Sequence, residues 1–333
     1  MLKNSSLSQL KAKKNLLAFS AGGDSTALFF LLKENKIDFD IAIVDYGMRE
    51  QSTQEVQYAQ KLAKENNSTC SVYKAEKITK NFESSAREIR YNFFNKIIKE
   101  NNYDNLLTAH HLGDRFEWML MQFCKGSGCV ELAGMQEIEK RQNYTLVRPL
   151  LHVEKSELLN YLQINNIKYF EDETNLDESI KRNSFRHQHS KPLLEKYMSG
   201  IKKSFEYLDE DKKTLLEDVE VTSMGDFSYF KNTLNARANL FAIDKHLKQN
   251  GYLVSASERK LLKSEKTVIV GRKFIINQED NYIFILLHVE DKIVLPKEFK
   301  EECRVLKIEP KLRGYMYKNN KTFVHVKELL SSI

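Results

Sequence analysis

The chain has 333 residues, more than one hydrophobic core usually organises, so two or three domains are expected. Hydrophobic residues make up 41% and charged residues 29%, which excludes a disordered chain, and the apolar stretches around residues 27–32 and 282–289 fall short of the ~18 residues that cross a bilayer. The net charge of +6 favours a polyanionic partner without demanding one, and the four scattered cysteines contain no C-x-x-C pair, which argues against a zinc ribbon, an iron–sulfur site or a disulfide framework and fits a reducing cytoplasm.

Lys3, Lys11, Lys13 and Lys14 open the chain with no apolar stretch and cleavage site behind them, so no secretory signal is expected. From residue 15 to about 164, short apolar runs alternate with segments of helical periodicity, the pattern of a parallel sheet covered by helices. Strands are expected at 16–20, 41–45, 69–74 and 105–110, with helices at 24–34, 53–66, 84–100 and 112–124. Ligands bind beyond the carboxyl ends of the strands in such sheets, so the residues just after Phe19, Val44 and Thr108 matter most. A polar stretch covers 170–191, Pro192 opens a helical region lasting to about Gln249, and a division near residue 200 separates 1–200 from 201–333. Beyond Gly251, residues 267–276 and 282–289 alternate like antiparallel strands with Asn281 in a turn, which suggests a small α+β domain. The last forty residues suggest a short strand pair and a terminal helix.

The run Ser20-Ala21-Gly22-Gly23-Asp24-Ser25 lies between the first strand and the first long helix. Glycines there let backbone N–H groups and the helix N-terminus converge on an anion, with the Ser20 and Ser25 hydroxyls as further donors. The Asp24 carboxylate would repel phosphate unless a divalent cation sits between them, so Mg2+ is implied. The bland alternative is a tight turn with Ser and Asp as helix caps. Neither a Walker A lysine nor G-x-G-x-x-G is present. The run resembles the SGGxDS loop of the PP-loop ATP pyrophosphatases, with Ala21 where Gly is usual and Gly23 in the variable position.

Further segments resemble the lysidine synthetase branch of that family. Asp45-Tyr46-Gly47-Met48-Arg49 resembles [ND]-H-G-L-R, with Tyr46 in place of His and Met48 in place of Leu. Ala86-Arg87-Glu88-Ile89-Arg90-Tyr91 resembles A-R-x-x-R-Y, and Arg87 and Arg90 share a helix face from which both guanidiniums could reach one phosphate. Thr108-Ala109-His110-His111-Leu112-Gly113-Asp114-Arg115-Phe116-Glu117 resembles T-A-H-H-x-x-D-Q-x-E, with Arg115 replacing Gln and Trp118 replacing Thr. His110 and Asp114 would lie one turn apart, with Glu117 three residues further along. Residues 125–128, 134–135 and 148–151 resemble R-G-S-G, G-M and R-P-L-L. The pair of segments 171–175 and 181–186 resembles E-D-x-[ST]-N and R-N-x-[IV]-R, where Arg182 and Arg186 form a basic face suited to triphosphate or RNA backbone. Each segment alone also reads as ordinary helix surface or strand end; their order and spacing over residues 15–195 carry the resemblance.

The resemblance implies an α/β N-terminal PP-loop domain of Rossmann-like form, followed by a helical linker region and a small α+β tRNA-recognition region. It further implies a ligase that forms a carbon–nitrogen bond. The wobble cytidine of tRNA(Ile) with a CAU anticodon attacks the α-phosphate of ATP, and free L-lysine then displaces AMP. Ser20, Ala21, Gly22, Gly23, Asp24, Ser25, Arg87 and Arg90 would bind ATP, with Asp24 at Mg2+. Asp45, His110 and Asp114 are the candidates for handling the lysine amine, and Arg182, Arg186 and Glu117 for binding substrate. A homodimer is left open. The rivals are a sulfur-inserting tRNA modifier, disfavoured by the isolated cysteines; a non-catalytic tRNA-binding module, which would not need Asp24; and a small-molecule amidotransferase or ligase, disfavoured by the positive charge and the C-terminal domain.

Overall fold

The computed structural model describes residues 1–47, 51–76, 78, 82–171, 181–215, 219–233, 235–289 and 293–331, the side chains of Glu83, Lys181, Arg182 and Leu215 excepted. They form two compact units, Met1–Glu210 and Asp211–Ile333. The first unit opens with α1 (Asn4–Leu10) and then alternates β1 (Asn15–Ala18), α2 (Gly23–Glu34), β2 (Asp40–Asp45), α3 (Gln51–Glu65), β3 (Cys70–Lys74), α4 (Phe82–Asn101) and β4 (Asn105–Leu107). Next come α5 (Leu112–Phe123), α6 (Cys129–Ala133), β5 (Ile138–Lys140), β6 (Thr145–Val147), α7 (Lys155–Ile164), α8 (Lys181–Phe185), a π-helical turn (Arg186–Ser190) and α9 (Lys191–Leu215).

The sheet runs β3-β2-β1-β4-β6-β5, with every pairing parallel except that of β5. The four expected strands are all present. β1 and β4 end two to three residues earlier than expected, because the chain leaves the sheet there to build loops. The β5–β6 hairpin, of two three-residue strands, was not foreseen. Central strands bury both faces, and β1 shows it: Leu17 joins the core beneath α2, α3 and α7, whereas its neighbour Leu16 joins the core against Phe94, Ile97 and Ile98 of α4. Strand order reverses between β1 and β4, so a crevice opens at their carboxyl ends.

The second unit holds β7 (Thr222–Met224), β8 (Phe227–Lys231), α10 (Ala236–Gln249), α11 (Ala256–Ser264), β9 (Thr267–Val270), β10 (Phe274–Gln278), β11 (Tyr282–Leu287), α12 (Lys297–Val305), α13 (Pro310–Lys318) and α14 (Asn320–Ser331). Its sheet is antiparallel, ordered β7-β8-β11-β10-β9. Alternate residues of β10 serve opposite cores: Ile276 faces the side that includes Ile243 and Leu262 of α10 and α11, and Ile275 faces Leu312, Met316 and Phe323.

Three expectations are corrected here. The helical region expected from Pro192 to Gln249 is interrupted by the β7–β8 hairpin, which turns at Gly225 with φ +61°. The expected strand over 267–276 is two strands, because Gly271 and Arg272 both adopt positive φ and reverse the chain. The last forty residues form no strand pair among the described residues. They are three helices whose buried Cys303, Leu312, Tyr315, Met316, Phe323 and Val326 cover one face of the sheet.

Candidate active site

Between β1 and α2 the chain makes a tight loop. Ala21 takes the left-handed conformation with φ +60° and is fully buried, so its methyl group is the largest side chain that position tolerates easily. The Ser20 N–H donates to Ser25 Oγ (3.2 Å), Ser25 Oγ donates to the Gly22 carbonyl (3.1 Å), and the two serine hydroxyls lie 3.1 Å apart. Gly22 caps α2 with no side-chain bond, which leaves the helix N-terminus open to an anion. Gly23 serves packing: a Cβ there would come within 3.2 Å of Leu159 on α7. The loop is braced from downstream, where the Phe170 N–H donates to the Ala21 carbonyl (3.0 Å) and Phe170 bridges Gly22 in parallel register.

Asp24 stands in the first turn of α2. Its Oδ2 lies 3.7 Å from His111 Nε2 and 4.0 Å from Lys155 Nζ, while Oδ1 is buried with no hydrogen-bond partner among the described residues. A buried carboxylate oxygen without a donor is costly unless a cation meets it. No cluster of three or more His, Cys, Asp or Glu able to hold a metal occurs among the described residues. The fit is therefore to a hard divalent ion held by one carboxylate and completed by phosphate oxygens and water, as Mg2+ accepts.

Across the crevice, β4 leads into α5. His110 Nδ1 lies 2.9 Å from Thr108 Oγ1. His111 is the N-cap of α5: its Nδ1 accepts the Gly113 N–H (3.0 Å), and Asp114 Oδ2 accepts the His111 backbone N–H (3.0 Å), a capping box. Further along the same helix Glu117 is 2% exposed and accepts from Arg186 Nε at 2.8 Å, and Arg186 Nη2 lies 3.7 Å from Asp114 Oδ1. Arg186 begins the π-helical turn, a distortion of the helical ladder found often at functional sites.

Asp24, Asp114, Glu117 and Arg186 are thus joined in one cluster with His111. Among the described residues, no hydrogen bond or ion pair joins Asp45, Arg87 or Arg90 to it. Asp45 ends β2 and accepts the Gly47 N–H (2.8 Å), closing a local turn. Arg87 and Arg90 are exposed on α4, Arg87 over the Tyr91 ring. Tyr46 donates its hydroxyl to the Ala86 carbonyl (3.0 Å), fixing the first turns of α4 to the end of β2, and burial raises its pKa against the opposing pull of Arg90. The Arg182 side chain, Met48, Arg49 and residues 172–175 lie outside the described residues.

His111, Lys155 and Arg115 were not singled out as site residues from the sequence. The signal for His111 was present, since a His just before a helix with Asp three residues on has capping-box spacing. Arg115 is fully buried and structural. Its guanidinium forks onto Asp209 (2.9 and 2.5 Å), donates to the Ala133 carbonyl and stacks on Phe205 with 4.3 Å to the ring centre.

A strand-to-helix loop shaped for phosphate, at a switch point of a parallel sheet and carrying Asp24 in the first turn of its helix, defines a nucleotide-binding protein of the PP-loop class. Residues 2–193 match the family model described as a PP-loop domain. The tRNA(Ile)-lysidine synthase of Helicobacter pylori (strain ATCC 700392 / 26695) is 44% identical over 312 residues, covering 93% of this chain and 91% of the relative. That of Campylobacter jejuni (strain RM1221) is 42% identical over 316 residues, covering 95% and 96%. Among solved structures, the U34-tRNA thiolase NcsA from Methanococcus maripaludis superposes with a TM-score of 0.50 at 18% identity, over 65% of this chain and 80% of that one, a likeness of fold. The chain belongs to the tRNA(Ile)-lysidine synthase family.

Proposed function

We propose that this chain converts the wobble cytidine of tRNA(Ile) with a CAU anticodon to lysidine, in two steps driven by ATP. Base oxygen O2 attacks the α-phosphate of ATP and pyrophosphate leaves; the ε-amine of free L-lysine then attacks C2 and AMP leaves. The observation that carries this reading is the cluster itself, in which the carboxylate of the phosphate loop, Asp24, faces the Asp114–Glu117–Arg186 set across one imidazole.

In the first step the open N-terminus of α2 and the Ser20 and Ser25 hydroxyls receive the phosphates, and Arg87 and Arg90 supply positive charge where pyrophosphate departs. Mg2+ on Asp24 Oδ1 would neutralise charge developing on the leaving pyrophosphate. In the second step, two carboxylates and a guanidinium side by side suit the α-ammonium and α-carboxylate of an amino acid, and Arg182 precedes Arg186 by four residues. The attacking amine must be neutral although its free pKa is about 10.4, so a nearby acceptor has to take its proton. Asp114, His110 and Asp45 are the groups at the carboxyl end of the sheet suited to that. A tRNA substrate fits a cytoplasmic location, and no helix among the described residues is long and apolar enough to cross a membrane.

The test is nucleoside mass spectrometry of tRNA(Ile) after incubation with protein, ATP and lysine. A lysine-bearing cytidine with stoichiometric AMP and pyrophosphate is expected. ADP and orthophosphate instead would remove the assignment.

A further inference from the structure

Asp24 and Asp114 belong to helices that follow different strands, and one ring lies between them. His111 is 7% exposed, and its Nε2 stands 3.7 Å from Asp24 Oδ2 and 3.6 Å from Asp114 Oδ2. With Nδ1 accepting the Gly113 N–H, the ring proton sits on Nε2, aimed at both carboxylates. Space for this ring exists because residue 113 is glycine: a Cβ there would lie 2.7 Å from His111 Cε1 and 3.0 Å from Nδ1. Asp114 is also held by the main chain of the same histidine.

We propose that His111 is a positioning residue whose Nε2–H, shared between Asp24 and Asp114, sets the separation of the ATP-side and amine-side carboxylates and so couples the two half-reactions. Two carboxylates facing one another repel, and a single donor between them offsets that repulsion. Both contacts are slightly longer than a hydrogen bond, a slack that substrate binding takes up. By drawing Asp24 Oδ2 toward itself and Lys155, the ring also leaves Oδ1 as the oxygen turned to a cation. This inference rests on the lysidine reading and adds to it a residue that acts through Asp24 and Asp114.

Three full-length variants and one spectrum test it. His111→Asn retains an acceptor near Nδ1 and so the cap, but loses the reach of Nε2; His111→Gln places an amide nitrogen near Nε2 and loses the cap. Gly113→Ala removes no polar atom but pushes the ring aside. Thermal unfolding should be near wild type for the Asn variant and lower for the Gln variant. Lysidine formation relative to pyrophosphate release should fall about tenfold in the Asn and Ala variants, the worth of one charge-assisted hydrogen bond, and recover in the Gln variant. Nitrogen NMR of the wild-type protein should show the Nε2–H tautomer for His111. An Nδ1–H tautomer, an unchanged step ratio in the Asn variant, or equal loss of both steps in the Asn and Gln variants would overturn the proposal. A wild-type protein that forms no lysidine defeats the functional reading instead, and the tautomer and unfolding data then still report on the ring.

Discussion

Asp114 accepts the His111 backbone N–H through one oxygen and approaches Arg186 with the other, so Asp114→Asn preserves the cap acceptor while removing the charge. If Asp114 handles the amine, lysidine formation should weaken by about 1.5–3 kcal/mol with pyrophosphate release less affected. Both rates, measured with and without lysine, decide it, and equal losses would move the role to Asp45. His152 offers a test of a different kind. Burial, reinforced by the charges of Lys3 and Arg115 and opposed by Asp209 and Glu137, lowers its pKa to about 4 from 6.5. The fold therefore holds a neutral ring that the unfolded chain protonates first. Its contribution is complete above about pH 6.5 and is lost as pH falls toward 4. Stability measured by denaturant titration across that window should fall less steeply for His152→Gln than for wild type. At this scale the sequence named Asp24, Asp114, Glu117 and Arg186 through segments that resemble the family's motifs, and the fold brings the four together. It did not disclose what Arg115 is for, since its partner Asp209 lies 94 positions away.

Among elements, the first turns of α4 are tied to the end of β2 by the Tyr46 hydroxyl. Tyr46→Phe removes the bond to the Ala86 carbonyl at a cost of about 1 kcal/mol. If Arg87 and Arg90 serve the pyrophosphate side, the apparent KM for ATP should rise while that for lysine stays constant. Steady-state kinetics in each substrate separates the cases, and parallel changes would detach α4 from nucleotide binding. The helices α2 to α5 and the strands β1, β2 and β4 were readable because burial on both sheet faces leaves an apolar run and a helix leaves a stripe. The hairpins β5–β6 and β7–β8 were not, because β5 (Ile-Glu-Lys) and β7 (Thr-Ser-Met) carry no apolar run that would set them apart from loop. The helices α12 and α13 were missed, the terminal helix α14 alone being expected, because their buried positions become a face only once a sheet exists beneath them.

For the molecule as a whole, the division of labour between the two units is open to a direct experiment. A chain ending at residue 200 would lose Phe205 and Asp209 and leave the Arg115 guanidinium buried without its carboxylate, a loss of roughly 3–5 kcal/mol. One ending at residue 215 keeps both. The chain ending at residue 215 should retain ATP binding and lose discrimination between tRNA(Ile) and a mismatched tRNA in filter binding, whereas the one ending at residue 200 should fold poorly. Discrimination that survives removal of residues 216–333 would assign the second unit another purpose. The brace between Ala21 and Phe170 adds a constraint in time rather than space. During synthesis the strand and helix flanking the loop emerge early, yet the residue that fixes the loop arrives almost 150 positions later, and Tyr58 waits for the same segment to receive its hydroxyl at the Lys168 carbonyl. A nascent chain therefore completes this loop only once Phe170, late in its first unit, has left the ribosome.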